Sequence, residues 1–209
     1  MVPPVAHIGA SPGPEPPAVE SNGQTRLGSA APHRSLGMLT VIGCGNSNRS
    51  DDGVGVWVAQ SLARHLRAHP HQGVRVFDAG TGGVEVIFQA RGSRRLIIVD
   101  ASRSGSSPGA IFKVPGLELA TDYTPAYSLH DFRWDHALAA GRKIFREEFP
   151  ADVSVYLIEA ESIALGLELS DPVRTAANAV FAEICALVDE YPREATDAGL
   201  AKQRARASG

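Results

Sequence analysis

Between residues 38 and 190 two hydrophobic rhythms alternate along the chain. Short, nearly unbroken apolar runs read as strands buried on both faces. Runs with apolar residues three and four apart read as helices with one buried side. MLTVIGC (38–44) is the first strand of this kind. Val54, Val58, Leu62 and Leu66 then recur every fourth residue, with Arg64 and Arg67 off that face, which predicts an amphipathic helix. VRVFDAG (74–80) is a second strand, and GGVEVIFQARG (82–92) a short helix stopping at Gly92. RLIIVDAS (95–102) is the clearest strand, and AIFKVP (110–115), beyond a Ser/Gly loop, reads as an edge strand. HDFRWDHALAAGRKIFREE (130–148) places Trp134, Leu138, Gly141 and Phe145 on one side of a helix. DVSVYLIEA (152–160) is the last strand. The final helix opens at Asp171-Pro172, a cap residue followed by Pro at the first helical position, and carries a stripe of Val173, Ala177, Val180, Ile184 and Leu187.

Alternation of strand and helix predicts an α/β three-layer sandwich: a mainly parallel sheet with helices on both faces. The flanks read differently. Residues 1–36 are rich in Pro, Gly, Ser and Ala and read as a disordered extension, because they offer too little apolar surface to offset their ordering entropy. Residues 193–209 are polar and read as a flexible tail, which leaves 37–192 as the domain. A chain of 209 residues suits one such domain.

Composition narrows the partners. A net charge of −3 supplies no basic field for nucleic acid and no polybasic membrane patch. No apolar run approaches the roughly 20 residues that span a bilayer, and the amino terminus lacks the pattern of a signal peptide. Cys44 and Cys185 match no zinc spacing or disulfide framework, so the expected home is a reducing cytoplasm.

In parallel α/β sheets ligands gather at the carboxyl ends of the strands. The first strand runs into Gly43-Cys44-Gly45, with Asp51 and Asp52 just beyond. The second ends in Asp78-Ala79-Gly80-Thr81-Gly82-Gly83, and the third in Asp100, behind the four apolar residues Leu96 to Val99. His130 opens a later helix and can return to the same rim. Taken singly, Asp51 or Asp52 reads as a helix cap, Asp78 as a turn former and His130 as a surface residue. Together, three acids and a histidine on one rim suit a divalent metal with open coordination positions, and nickel and zinc both accept such mixed ligands.

Rival chemistries fit less well. A dinucleotide turn needs a third glycine where Asn48 stands, and acids at 51 and 52 would repel a pyrophosphate. Cys44 lies between glycines, within possible reach of His130, yet no electropositive group surrounds it in sequence, so it reads as a small apolar residue. The chain has neither a G-x-S-x-G elbow nor an HExxH motif.

The series GCGNSNRSDDGVG, DAGTGGVE, LIIVDAS, YSLHDF and IEAESIALGLELSDPV resembles the hydrogenase maturation proteases over residues 38–190. That family removes a C-terminal extension from the large subunit of nickel–iron hydrogenases. The resemblance implies a five-stranded sheet and a rim that contacts nickel already inserted in the precursor. By motif, Asp52, Asp100 and His130 would be the metal contacts and Asp78 the catalytic acid of an aspartyl-type endopeptidase. Gly43, Gly45, Asn46, Gly80, Thr81 and Gly82 would form the substrate loops. The family often carries Glu at the position of Asp52, and Asp51 is an alternative contact. Nickel would arrive with the substrate, no organic cofactor is implied, and the enzyme would act as a monomer. Two readings from other classes stay open: a small-molecule hydrolase or phosphorylase on a similar sheet, and a non-catalytic nickel-binding assembly chaperone.

Overall fold

The computed structural model describes residues 37–116, 118 and 134–191. The expected N-terminal extension, the C-terminal tail and His130 lie outside the described residues. The chain runs β1 (Met38–Cys44), a 3-10 turn (Ser50–Gly53), α1 (Val54–Ala68), β2 (Val74–Gly80), α2 (Gly83–Ala90) and β3 (Ser93–Ser102). It continues through β4 (Ile111–Pro115), α3 (Trp134–Phe145), a second 3-10 turn (Arg146–Glu148), β5 (Asp152–Glu159) and α4 (Asp171–Glu190).

The five strands form one sheet in the order β2-β1-β3-β5-β4. β2, β1, β3 and β5 are parallel, and β4, largely exposed, pairs antiparallel with β5 at the edge, the position read for it from the sequence. From β1 the chain steps outward to β2, then crosses back over β1 to β3. The strand order therefore reverses between β1 and β3, the position where open α/β sheets hold their ligands.

Strand periodicity sorts the core into two layers. Leu39, Val41, Ile97, Val99, Tyr156 and Ile158 face α1 and α4, whose Val54, Val58, Leu62, Val173, Ala177, Val180 and Ile184 cover them. Ile42, Leu96, Ile98, Val153 and Val155 face the opposite way, beneath Val86, Ile87 and Ala90 of α2 and Trp134, Ala137 and Leu138 of α3. The expected stripe of α4 shifts at its end: Val188 takes the buried position and Leu187 stands partly buried beside it. Strand β3 starts two residues earlier than its apolar run, at Ser93, because Met38 pairs with Ser93 before a register shift. Helix α2 ends at Ala90, and Gly92 at φ 73° turns the chain into β3.

One contact fixes how α1 meets the sheet. A Cβ at Gly55 would lie 2.2 Å from the Val99 carbonyl oxygen and 2.3 Å from that of Cys44. Only a glycine lets the first turn of the helix rest so closely on the ends of β1 and β3.

Candidate functional site

Gly45 leaves β1 at φ 120°, and a Cβ there would fall 1.8 Å from the Asp52 carbonyl oxygen. The loop therefore doubles back on itself, which a side chain would prevent. The Asn46 N–H donates to both the backbone oxygen and Oδ2 of Asp52, each at 3.2 Å, and the Gly45 N–H donates to the Gly80 carbonyl at 2.8 Å. These bonds bring Asp52 and the β2 turn to the end of β1.

Asp100 arrives from β3. It is 6% exposed; its Oδ2 accepts a 2.6 Å bond from the indole N–H of Trp134, and its Oδ1 a 2.8 Å bond from the Ala101 N–H. Asp52, Asp100, Trp134, Cys44, Gly45 and the Gly80–Gly83 turn line a cavity of about 190 Å³. None of these lining residues is basic, so the cavity favours a cation over a phosphate. Among the described residues no three His, Cys, Asp or Glu side chains converge as a metal-binding group. Of the three residues expected to contact a metal, Asp52 and Asp100 line this cavity and His130 lies outside the described residues.

The adjacent acids divide their work. Asp51 is fully buried, and its Oδ2 accepts bonds from the N–H groups of Glu161 and Ser162, both at 2.9 Å, and from the Ser170 hydroxyl at 3.0 Å. Its Oδ1 accepts the Ser170 N–H at 2.7 Å. Asp51 is thus committed to tying the 160–170 loop and the start of α4 to the rim, and Asp52 faces the cavity.

Asp78 is placed differently. It is exposed and does not line the cavity; its Oδ1 accepts the Gly80 N–H at 3.0 Å, and its Oδ2 accepts the Gln60 side-chain amide from α1 at 3.1 Å. Of the expected substrate-loop residues, Gly45, Gly80, Thr81 and Gly82 line the cavity. Gly43 is buried against Gly55, and Asn46 stands next to the lining, with its Oδ1 accepting the Asn48 N–H.

Three residues escaped the sequence reading. Trp134, read as core, is buried but turns its N–H toward Asp100. Cys44, read as structural, is 5% exposed and forms part of the cavity wall. Glu159 is the last residue of β5, and Asp100 lies two residues before the end of β3, each behind an apolar run. It accepts the Ser102 hydroxyl at 2.6 Å, both the N–H and the hydroxyl of Ser104 at 3.0 Å, and the Gly105 N–H at 2.8 Å. These donors, the Ser102 hydroxyl foremost, hold its carboxyl at about 2 against an ordinary 4.5. An acid closing an apolar strand was the signal available for it.

Solved structures place this architecture. It is similar to the hydrogenase maturating endopeptidase HybD from E. coli, with TM-score 0.59 and 24% identity over 73% of this chain and 93% of that one. It is also similar to the [NiFe] hydrogenase maturation protease HybD from Thermococcus kodakarensis, with TM-score 0.58 and 22% identity over 72% and 99%. At these identities the likeness concerns the fold. In sequence, the chain is 26% identical to the Hydrogenase 2 maturation protease of Escherichia coli (strain K12) over 163 residues, 75% of this chain and 97% of that protein. The family model HycI, described as hydrogenase maturation protease, matches residues 56–187, more than half of the chain. The chain belongs to the hydrogenase maturation protease family, and so to a family of peptidases. No described helix is long and apolar enough to cross a membrane.

Proposed function

We propose that the protein is an endopeptidase that removes the C-terminal extension of a nickel–iron hydrogenase large-subunit precursor, and that it recognises the precursor by the nickel already bound there. The observation that carries this reading is the convergence of Asp52 and Asp100, from separate segments, in an acidic cavity at the reversal of strand order. The nickel is cargo of the substrate. Asp52 and Asp100 offer it carboxylate oxygens, and His130 adds an imidazole. Trp134 and the Ala101 N–H each hold one oxygen of Asp100, which fixes the plane of the carboxylate.

Docking through the metal converts the search for one peptide bond into a positioning problem, and such positioning can supply much of a barrier reduction. The Gly80–Gly83 wall lets backbone approach the cavity closely. Asp78 supports that wall through Gly80, and its exposed carboxylate keeps acceptor capacity for a water or a substrate N–H. We assign it the proton-accepting role at the scissile bond. Cys44 and Cys185 are not joined in a disulfide, in keeping with a reducing cytoplasm, and the enzyme is taken to act as a monomer.

Side-by-side pull-downs and cleavage assays on nickel-loaded precursor test these roles. Asp52→Asn, Asp100→Asn and His130→Ala should lose both binding and cleavage while remaining folded, with Asp100→Asn melting a few degrees below wild type because one of its two donors then faces an amide nitrogen. Asp78→Asn should still bind the loaded precursor without cutting it. Near-wild-type cleavage by folded Asp100→Asn would remove the metal-contact assignment.

A further inference from the structure

The loop between β5 and α4 combines tight anchoring with apolar exposure. Asp51 holds it from below through Glu161, Ser162 and Ser170. From above, the Arg49 guanidinium donates to the Ile163 carbonyl at 3.1 Å, and the Ser50 hydroxyl to that of Ala164 at 3.1 Å. Gly166 exchanges backbone bonds with the rim loop: its N–H donates to Asn48 at 3.0 Å and its carbonyl accepts from Ser50 at 2.8 Å. The neighbours of Gly166 nonetheless stand in solvent, Leu165 at 87% exposure and Leu167 at 80%. Leu169, two residues further on, is buried in the core.

A loose loop can leave a leucine in water at no consequence. Here the polar bonds fix the backbone, so the two side chains are presented outward from a stiff support. That support is the same segment that carries Asp52, three residues after the Arg49–Gly166 bridge.

We propose that Leu165 and Leu167 form a docking knob for the folded body of the precursor, gripping an apolar depression on its surface while the cavity engages the metal. This inference rests on the proposed function and adds a specificity contact to it. A second copy of this chain is a poor occupant: two leucines present only a small part of the roughly 800 Å² per partner that a specific stable interface buries. A substrate also held at the cavity needs little additional area. The polar surround, with exposed Arg49, Glu161 and Glu168, gives the knob an apolar centre and a charged rim, as in protein–protein contacts.

The test uses the full chain with Leu165→Ser and Leu167→Ser together, and a nickel-loaded hydrogenase large-subunit precursor from the same organism. Because both side chains lie in solvent, the variant should melt as wild type does. KM for the precursor should rise roughly tenfold or more, with kcat within about twofold, since each decade corresponds to ~1.4 kcal/mol of lost contact. Binding to the same precursor, read by calorimetry, should weaken in parallel. Equal KM and equal binding for variant and wild type would overturn the docking proposal. A wild type that binds the precursor through the leucines without cleaving it would refute the peptidase reading while sustaining the knob. If concentration-dependent self-association of wild type disappears in the double variant, the occupant is a second copy and the proposal is wrong.

Discussion

Asp51 anchors the 160–170 loop and Asp52 faces the cavity, and the substitution Asp51→Asn separates the two roles. Substitution keeps the shape and removes the charge. The amide oxygen can stay at Oδ2, where three donors converge, which leaves the amide nitrogen facing the Ser170 N–H. The loss of one bond to a charged acceptor, in a fully buried position, costs about 2 kcal/mol. For a domain of this size that is a fall in Tm of roughly 4–8 °C. Asp51→Ala abandons all four donors; water reaches part of the exposed 161–168 segment, so about 4 kcal/mol and roughly 8–16 °C are expected. Thermal melts by circular dichroism give the shift, and cleavage of nickel-loaded precursor well below the melting range gives the activity. The Asp51→Asn protein should be less stable and still cut; Asp52→Asn should melt near wild type and fail to cut. An Asp51→Asn protein with unchanged Tm and no cleavage would refute the assignment.

The remaining predictions concern the rest of the rim. The carboxyl of Glu159 is held at about 2 in the folded chain against an ordinary 4.5, so its contribution to stability is present above pH 4.5 and is lost as pH falls toward 2. Acid unfolding of Glu159→Gln should accordingly be less steep than wild type across that window, and equal steepness would contradict the linkage. Cys44→Ala should retain substantial turnover, because the cavity wall there requires only a small residue; a folded but inert variant would point to thiol chemistry. Trp134→Phe keeps the apolar packing and removes the 2.6 Å bond to Asp100, so kcat/KM should fall roughly tenfold with little change in fold. An unchanged kcat/KM would mean that the indole does not orient the carboxylate.

The two hydrophobic rhythms made the strands and helices of the described residues legible, because burial on two faces or on one stripe leaves a pattern in neighbouring residues. β3 shows this well: Leu96 to Val99 alternate between the two core layers and deliver Asp100 to the rim. The strand order was less accessible, since pairings such as Val41 with Val76 and with Ile97 join distant segments. The choice between Asp51 and Asp52 was beyond local pattern for the same reason. Both follow Ser50 in a polar loop, and what separates them is a partner 110 residues further along. Asp78 carried a strong motif and an ambiguous position: its turn-forming role is plain in the bond to Gly80, and its carboxylate stands outside the cavity lining. Trp134 shows how a residue can satisfy two requirements, packing its ring in the core and spending its N–H at the site.

The central claim is recognition of the substrate through its nickel, and one comparison tests it most directly. Wild-type enzyme is incubated with the same large-subunit precursor in nickel-loaded and nickel-free forms, and release of the C-terminal peptide is followed by mass spectrometry. The account predicts cleavage of the loaded form alone, with no binding of the nickel-free form at concentrations that saturate the loaded one. Equal cleavage of both forms would contradict it.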